Sequence, residues 1–373
     1  MKKILFILPS LAVGGLEKEQ ITIANGLVKK GYSVTVKTLE KNDEMRRFMD
    51  DRVIYDYKPY KPHPIMKRIP YIRNKFYDDG MWETRAAPQT LYDYYVGNEK
   101  YDVEIAFFRG LPVKIISGSK NKNAVKIAWV HNDFKKCGGI TANFNGLSEV
   151  REAYGKFDKI VCVSEEARTS FNETIGFPEK TITVYNMLCL DEIKAKALEK
   201  CPIKKGRFTF LSVGRLVPAK GYDRLIAAYK NADVDADLWI IGEGGEKERL
   251  IKEAKELGLS GVKFLGKKLN PYKYMSAVDA YVCSSRFEGF NLTIAEALAV
   301  GLPVISTACT GPYEILDGGK YGLIVKNDTE GLTDGLKKLY SDNALLKKYK
   351  AKAKKRSEFF DESAIIDKIT ALF

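Results

Sequence analysis

ILFILPSLAVGGLEKEQITIANGLVKKGYSVTVKTL, residues 4–39, is the stretch that decides the fold of this chain. Ile4 to Leu8 are five apolar residues in a row, the mark of a strand buried on both faces. Gly14-Gly15 supplies a turn. Residues 16–31 then repeat apolar side chains at helical spacing and stop at Gly31, a natural residue to follow a helix. YSVTVKTL follows as a second strand. One βαβ unit therefore accounts for about forty residues. The rival reading is a secretory signal, from the charged start Met1-Lys2-Lys3 and the short apolar core. It explains fewer residues and has no convincing A-x-A cleavage site, so the strand is preferred.

The same alternation continues along the chain. In the first half the apolar runs are ILFIL, SVTV, VEIAFF, KIAWV, KIVCV and TITVY. The second half contains FTFLSVG, DLWIIG, VKFLG, AYVCSS, LPVIST and GLIV, with amphipathic segments between most of them. Such a pattern predicts α/β architecture with parallel sheets and helices on both faces. It restarts after the polar stretch LDEIKAKALEKCPIKKGR, which predicts two doubly wound domains. The expected boundaries are 1–189 for the first domain, 190–207 for a linker and hinge, 208–355 for the second, and 356–373 for a C-terminal helix packing back on the first.

A length of 373 residues suits two domains. With 45% hydrophobic and 29% charged residues, the composition is globular and excludes disordered, collagen-like and coiled-coil classes. No run approaches the ~18 apolar residues of a membrane-spanning helix. The 6 cysteines form no CxxC pair, and only 2 histidines are present, which argues against a Cys/His metal site. The expected compartment is the reducing cytoplasm. The net charge of +13 divides almost evenly between the halves and gathers in patches. Tyr57–Tyr77 contains Lys58, Lys61, Lys67, Arg68, Arg73 and Lys75 with no acid and with several aromatics, a pattern suited to an anionic membrane surface. Lys337–Arg356 is a second basic stretch, at helical spacing. No nucleic-acid module accompanies either.

Chemistry concentrates in SSRFEGFNLTIAEALAVGLPVI, residues 284–305. A strand ends at Ser284-Ser285, a loop carries Glu288 and Gly289, and a helix begins near Asn291–Thr293. Its first turn offers N–H groups and a positive dipole end to an anion such as a diphosphate. Glu288 and Glu296 bracket that turn and can accept hydrogen bonds from hydroxyls. FLSVGRLVPAKGYDRLI, residues 210–226, places Arg215 and Lys220 after a strand, where two cations can neutralise phosphate. IIGEGGEKERL, residues 240–250, imitates a dinucleotide fingerprint but lacks its full G-x-G-x-x-G. Asp233, Asp235 and Asp237 imitate a metal-binding DxD, but they precede a strand and read as a surface turn.

Taken in order, Gly14-Gly15, WVHND (129–133), VSE (163–165), GRLVPAKG (214–221), GEG (242–244), the 284–305 block and TGPYEIL (310–316) resemble the retaining glycosyltransferases of family 4. That resemblance implies the GT-B fold, with two Rossmann-like domains facing a central cleft. It implies that Arg215 and Lys220 hold the diphosphate of a nucleotide-sugar donor, with a UDP-sugar expected, and that Glu296 binds the ribose. Glu288, with the amides of Phe290, Asn291 and Leu292, is implied to hold the donor sugar and phosphate. Gly14, Gly15, Gly242 and Gly289 are implied to line the donor site, and His131 to lie close to the sugar's reacting face. His131, Glu288, Arg215 and Lys220 are thus the expected catalytic set, with no metal ion. The acceptor is expected to be a glycan, lipid-linked, in surface-polysaccharide synthesis, and the enzyme peripheral on the inner face of the plasma membrane through residues 57–77. Two alternatives are a GT-B sugar-nucleotide epimerase and a non-catalytic sugar-nucleotide-binding protein. Base, sugar, acceptor and oligomeric state are left open by the sequence.

Overall fold

Every residue of Ala236–Ile241 is buried, which a strand achieves only when helices cover both faces of its sheet. The computed structural model describes residues 1–12, 14–58 and 82–373. They form two units, residues 1–185 with 365–373, and residues 186–364.

The first unit is built on β1 (Lys3–Leu8), β2 (Ser33–Thr38), β3 (Ile54–Tyr57), β4 (Val103–Ala106), β5 (Val125–Val130), β6 (Lys159–Cys162) and β7 (Thr181–Thr183). They lie in the order β3-β2-β1-β4-β5-β6-β7, and all their pairings are parallel. The sequence pattern had missed β3. Its IYDY is half exposed and pairs with β2 alone, so it carries no continuous apolar run. Tyr57, expected at the start of a basic loop, instead ends this strand, and the Lys58 ammonium lies 4.8 Å from the Tyr94 ring centre. The rest of the 57–77 segment, including Lys61, Lys67, Arg68, Arg73 and Lys75, lies outside the described residues. The Gly15–Lys29 helix follows β1 and ends before Gly31, whose φ of +86° is left-handed. Asp367 pairs with Lys30, and Phe373 packs edge-on against Tyr32 at 5.6 Å between ring centres.

The second unit contains β8 (Phe208–Val213), β9 (Ala236–Ile241), β10 (Val262–Gly266), β11 (Ala280–Cys283), β12 (Val304–Thr307) and β13 (Leu323–Val325). Their order is β10-β9-β8-β11-β12-β13, again parallel. In both units the chain winds outward on one side of the first strand and then on the other. The reversal falls between β1 and β4, and between β8 and β11. Loops leaving the carboxyl ends of strands beside such a reversal diverge and leave a crevice, the usual ligand position in open α/β sheets.

Residues 190–207 differ from the expected linker in their first half. Leu190–Ala197 is a helix whose Leu190 and Ile193 are buried one turn apart, and it packs on the Tyr272–Met275 and Leu292–Ala299 helices. Asn270 and Ser276 donate to its last carbonyls, at 3.0 and 2.9 Å. Its many charges disguise this apolar edge in the sequence. Residues 356–373 are not one helix either. They comprise the end of the Asn343–Ser357 helix, a 3₁₀ turn at Glu358–Phe360, and the Glu362–Thr370 helix.

Candidate functional site

In the second unit the two loops singled out by sequence leave β8 and β11, the neighbours across the reversal. After β8, Gly214 and Arg215 lead to a 3₁₀ turn at Pro218–Lys220 and then to the Tyr222–Ala232 helix. Gly221 joins the two with φ +64°, and a Cβ there would meet the Ser284 carbonyl oxygen at 2.3 Å. That contact seats the β8 loop against the β11 loop. Ser284 strengthens it, its hydroxyl donating to the Lys220 carbonyl at 2.8 Å. Arg224 donates to the Ser284 carbonyl at 2.8 Å from the other side.

The Lys220 ammonium therefore arrives at the Glu288 carboxylate and forms an ion pair with it. Oε1 of Glu288 also lies 3.4 Å from both the Ser285 hydroxyl and the Asn291 amide nitrogen. Desolvation, helped by the nearby Arg215 guanidinium, draws the Lys220 pKa below the ordinary lysine value. Arg215 itself is exposed. Asn291 is the N-cap of the Leu292–Ala299 helix, its Oδ1 accepting from the Ile294 N–H at 3.2 Å. An Asn before the apolar run LTIAEALA is a readable cap signal. Gly289 and Phe290 complete the turn. Gly311, from TGPYEIL, lies so close behind it that a Cβ would approach the Gly289 oxygen to 2.7 Å.

Glu296, one turn inside that helix, is 5% exposed and accepts from the Tyr272 hydroxyl at 2.8 Å. Sequence reasoning had missed Tyr272, since nothing in NPYKYM separates it from an ordinary core tyrosine. Gly242 and Gly244 of GEG are packing glycines. Cβ atoms there would come within 1.9 Å of the Gly214 oxygen and 2.3 Å of the Leu216 oxygen. They let the β9 loop lie against the β8 loop, joined by Leu216 N–H donating to Glu243 O at 2.8 Å. Asp235 and Asp237 pair with Arg207, and Asp237 also with Lys263, so these carboxylates have structural partners.

In the first unit Gly14 and Gly15 open the Gly15–Lys29 helix, and His131 follows β5. The His131 side chain is 3% exposed. Its Nε2 lies 2.8 Å from the Phe107 carbonyl oxygen, which accepts only, so Nε2 carries the proton. Nδ1 then presents a lone pair, 4.0 Å from Oε2 of Glu19. Neither of these two buried atoms has a hydrogen-bond partner among the described residues. Burial pushes the His131 pKa down to about 4, so the imidazole is neutral near pH 7, and it raises Glu19 well above the ordinary carboxylate value. Glu19 is a second residue that sequence reasoning had passed over; on a helix of alternating charges it looks solvated.

Two doubly wound parallel sheets with these loops define a GT-B glycosyltransferase fold. Among solved structures, HepE of Anabaena in complex with UDP and glucose is similar over 100% of this chain and 99% of that one, with a TM-score of 0.78 at 20% identity. The family model described as glycosyl transferases group 1 matches residues 194–356. Over 247 residues the chain is 37% identical to the lipopolysaccharide core biosynthesis glycosyltransferase LpsE of Rhizobium meliloti, covering 63% of this chain and 71% of that protein. It is 40% identical over 230 residues to N-acetylgalactosamine-N,N'-diacetylbacillosaminyl-diphospho-undecaprenol 4-alpha-N-acetylgalactosaminyltransferase of Campylobacter jejuni. That match spans 60% of this chain and 62% of the Campylobacter protein. The chain belongs to the group 1 glycosyl transferases.

Proposed function

We propose that this protein is a retaining glycosyltransferase of family 4. It transfers a sugar from a UDP-sugar to a hydroxyl of a lipid-linked glycan in surface-polysaccharide synthesis, and it needs no divalent metal. The observation that carries this reading is the meeting of Lys220, Glu288 and Asn291 at the carboxyl ends of β8 and β11. A cation, a hydroxyl-accepting carboxylate and a capped helix N-terminus form the donor set that a diphosphate sugar requires. The Campylobacter relative, whose name specifies a diphospho-undecaprenol substrate, supports the lipid-linked acceptor.

In this reading the bond that breaks runs from the anomeric carbon to the leaving diphosphate oxygen, the bond that forms joins that carbon to the acceptor hydroxyl oxygen, and the hydroxyl's proton passes to the departing diphosphate. Negative charge grows on that oxygen as the bond breaks. Lys220, Arg215 and the N-terminus of the Leu292–Ala299 helix stabilise it, the kind of preorganised electrostatic help that dominates many enzymes. Glu288 then orients the sugar through its hydroxyls, Glu296 the ribose, and Tyr272 holds Glu296 in place. His131, neutral and proton-bearing at Nε2, keeps its place at the β5 end without adding charge there. Attachment to anionic membrane through residues 57–77 belongs to the same proposal, on the sequence pattern alone.

The test is a panel of nucleotide sugars screened for thermal stabilisation, followed by transfer to a lipid-linked acceptor with and without EDTA. Selective stabilisation by UDP-sugars, EDTA-resistant transfer and retained anomeric configuration by proton NMR are expected. Turnover restored only by Mg²⁺ or Mn²⁺ would overturn the assignment of charge neutralisation to side chains. Rapid interconversion of the donor sugar with no acceptor present would favour the epimerase instead.

A further inference from the structure

The Asn343–Ser357 helix, NALLKKYKAKAKKRS, carries seven basic residues and no acid. At 100° per residue, Leu345, Leu346, Tyr349, Ala353 and Ser357 share one side, buried or half-buried. Arg356 turns inward as well, donating to the Ile315 and Glu314 carbonyls at 2.7 Å each. Lys347, Lys348, Lys350, Lys354 and Lys355 are all exposed, and with Ala344 and Ala351 they fill an arc of about 160°. None of the five has a carboxylate within salt-bridge distance among the described residues. Lys337 and Lys338, at the end of the preceding helix, are exposed too.

A lysine-rich surface is ordinary when its charges are interleaved with acids, and this unit has such a helix. In Lys247–Glu256, Lys247 pairs with Glu243, Arg249 with Glu246 and Glu253, and Lys252 with Glu256. Against that standard the Asn343–Ser357 face is one-signed. Lys350 and Lys354 stand one turn apart, as do Lys347 and Lys350, and like charges so placed repel. The arrangement is disfavoured in the free protein and relieved by an opposing anionic surface.

We propose that this face binds the anionic surface of a lipid bilayer. The face is the side of one helix, about 22 Å long, with small alanines between the lysines, so it meets a plane better than a groove. It offers no exposed aromatic platform on which bases could stack, which single-stranded nucleic acid would use. Just past its end Phe359 is 45% exposed, its ring centre 4.7 Å from the guanidinium carbon of Arg356. The opposite side of the helix packs on the Leu292–Ala299 helix, and Phe360 meets Phe290 edge-on at 5.6 Å. Docking would thus hold the candidate donor loop at a fixed position relative to the lipid. The binding is independent of the proposed function; only its use in reaching a lipid-linked acceptor rests on that reading.

The experiment is co-sedimentation of the full chain with vesicles of phosphatidylcholine containing 30% phosphatidylglycerol, and with phosphatidylcholine alone. Each lysine near such a surface contributes roughly a fivefold change in partitioning. The variant with Lys347, Lys348, Lys350, Lys354 and Lys355 each replaced by glutamine is expected to partition at least tenfold less onto anionic vesicles, with a melting temperature no lower than that of the unaltered protein, since the repulsion is relieved. A control replacing Lys100, Lys120, Lys122, Lys252 and Lys320 by glutamine removes the same charge elsewhere and is expected to bind as the unaltered protein does. A third variant, Lys67, Arg68, Arg73 and Lys75 to glutamine, separates the 57–77 segment and is expected to retain the part of binding that the helix variant loses. Equal partitioning of the helix variant and the unaltered protein overturns the proposal. So does equal loss in the control, which would make net charge the cause, and so does binding of single-stranded RNA in place of vesicles.

Discussion

Replacing Glu288 by glutamine tests the donor site most sharply, because Lys220 has to serve two anions. In the structure its ammonium is held by the Glu288 carboxylate, with the side chains 23% and 15% exposed. A diphosphate arriving at Lys220 must share or displace that partner, and its own charge meets the carboxylate's. Two unit charges 4 Å apart interact by about 1 kcal/mol in water and about 4 at an effective dielectric constant of 20. A half-shielded pair lies between, and a charge-assisted hydrogen bond contributes about 1.5–3 kcal/mol net. Taking the lower figure, Glu288→Gln frees about 1.5 kcal/mol for UDP, or roughly tenfold tighter binding. The glutamine keeps the shape and one acceptor, so the loop is not emptied. The same change removes the carboxylate assigned to the sugar, so kcat/KM with the intact donor is expected to fall at least about a hundredfold. Isothermal titration with UDP at 0.1 M salt measures the first effect, and it is expected to shrink at 1 M as the charges are screened. UDP affinity that is unchanged or weaker in the variant would refute the reasoning, since Lys220 would then not be competed for.

Four other substitutions probe the sites and their supports. Tyr272→Phe deletes the 2.8 Å donor to buried Glu296 and is expected to cost about 1.5–3 kcal/mol of stability in urea unfolding; Glu296→Ala is expected to weaken UDP binding more than Tyr272→Phe does. Gly221→Ala places a Cβ 2.3 Å from the Ser284 oxygen at a left-handed φ, and a loss of about 2 kcal/mol or more is expected, with Lys220 displaced and UDP binding reduced. The last concerns pH. The folded-state pKa of His131, about 4, lies below its ordinary value of 6.5, so the unfolded chain takes up the proton first and stability is lost as pH falls from 6.5 toward 4. Glu19, raised, works in the opposite sense, its burial costing stability as pH rises above its ordinary 4.5. The comparison that isolates the histidine is therefore His131→Asn: between pH 7 and pH 4.5 the variant is expected to lose about 2 kcal/mol less than the unaltered protein, and equal losses would show that His131 does not titrate from a buried, neutral state.

Fold class was legible in the sequence because it follows from local patterning. A strand covered on both faces must be apolar at nearly every position, so β1, β5, β8, β9 and β11 stand out; β3, half exposed at a sheet edge, does not. Helix ends were legible for the same reason. Asn291 caps through a bond three residues away, and Gly31 needs only its own backbone freedom. Glu288 and Glu296 could be named because they share one loop and one helix. What their side chains face could not, since those partners belong to other segments.

Lys220 reaches Glu288 across 68 residues only because β8 and β11 are neighbours in a sheet whose intervening strands lie to the other side. Glu19 meets His131 because the helix after β1 returns beside the end of β5, and the Leu190–Ala197 stretch is a packed helix because the Leu292–Ala299 helix is there to receive Leu190 and Ile193. Composition and periodicity set which face of each element is apolar, since solvent exclusion acts residue by residue. Strand order sets which charges from distant segments meet, and it depends on how each sheet is wound.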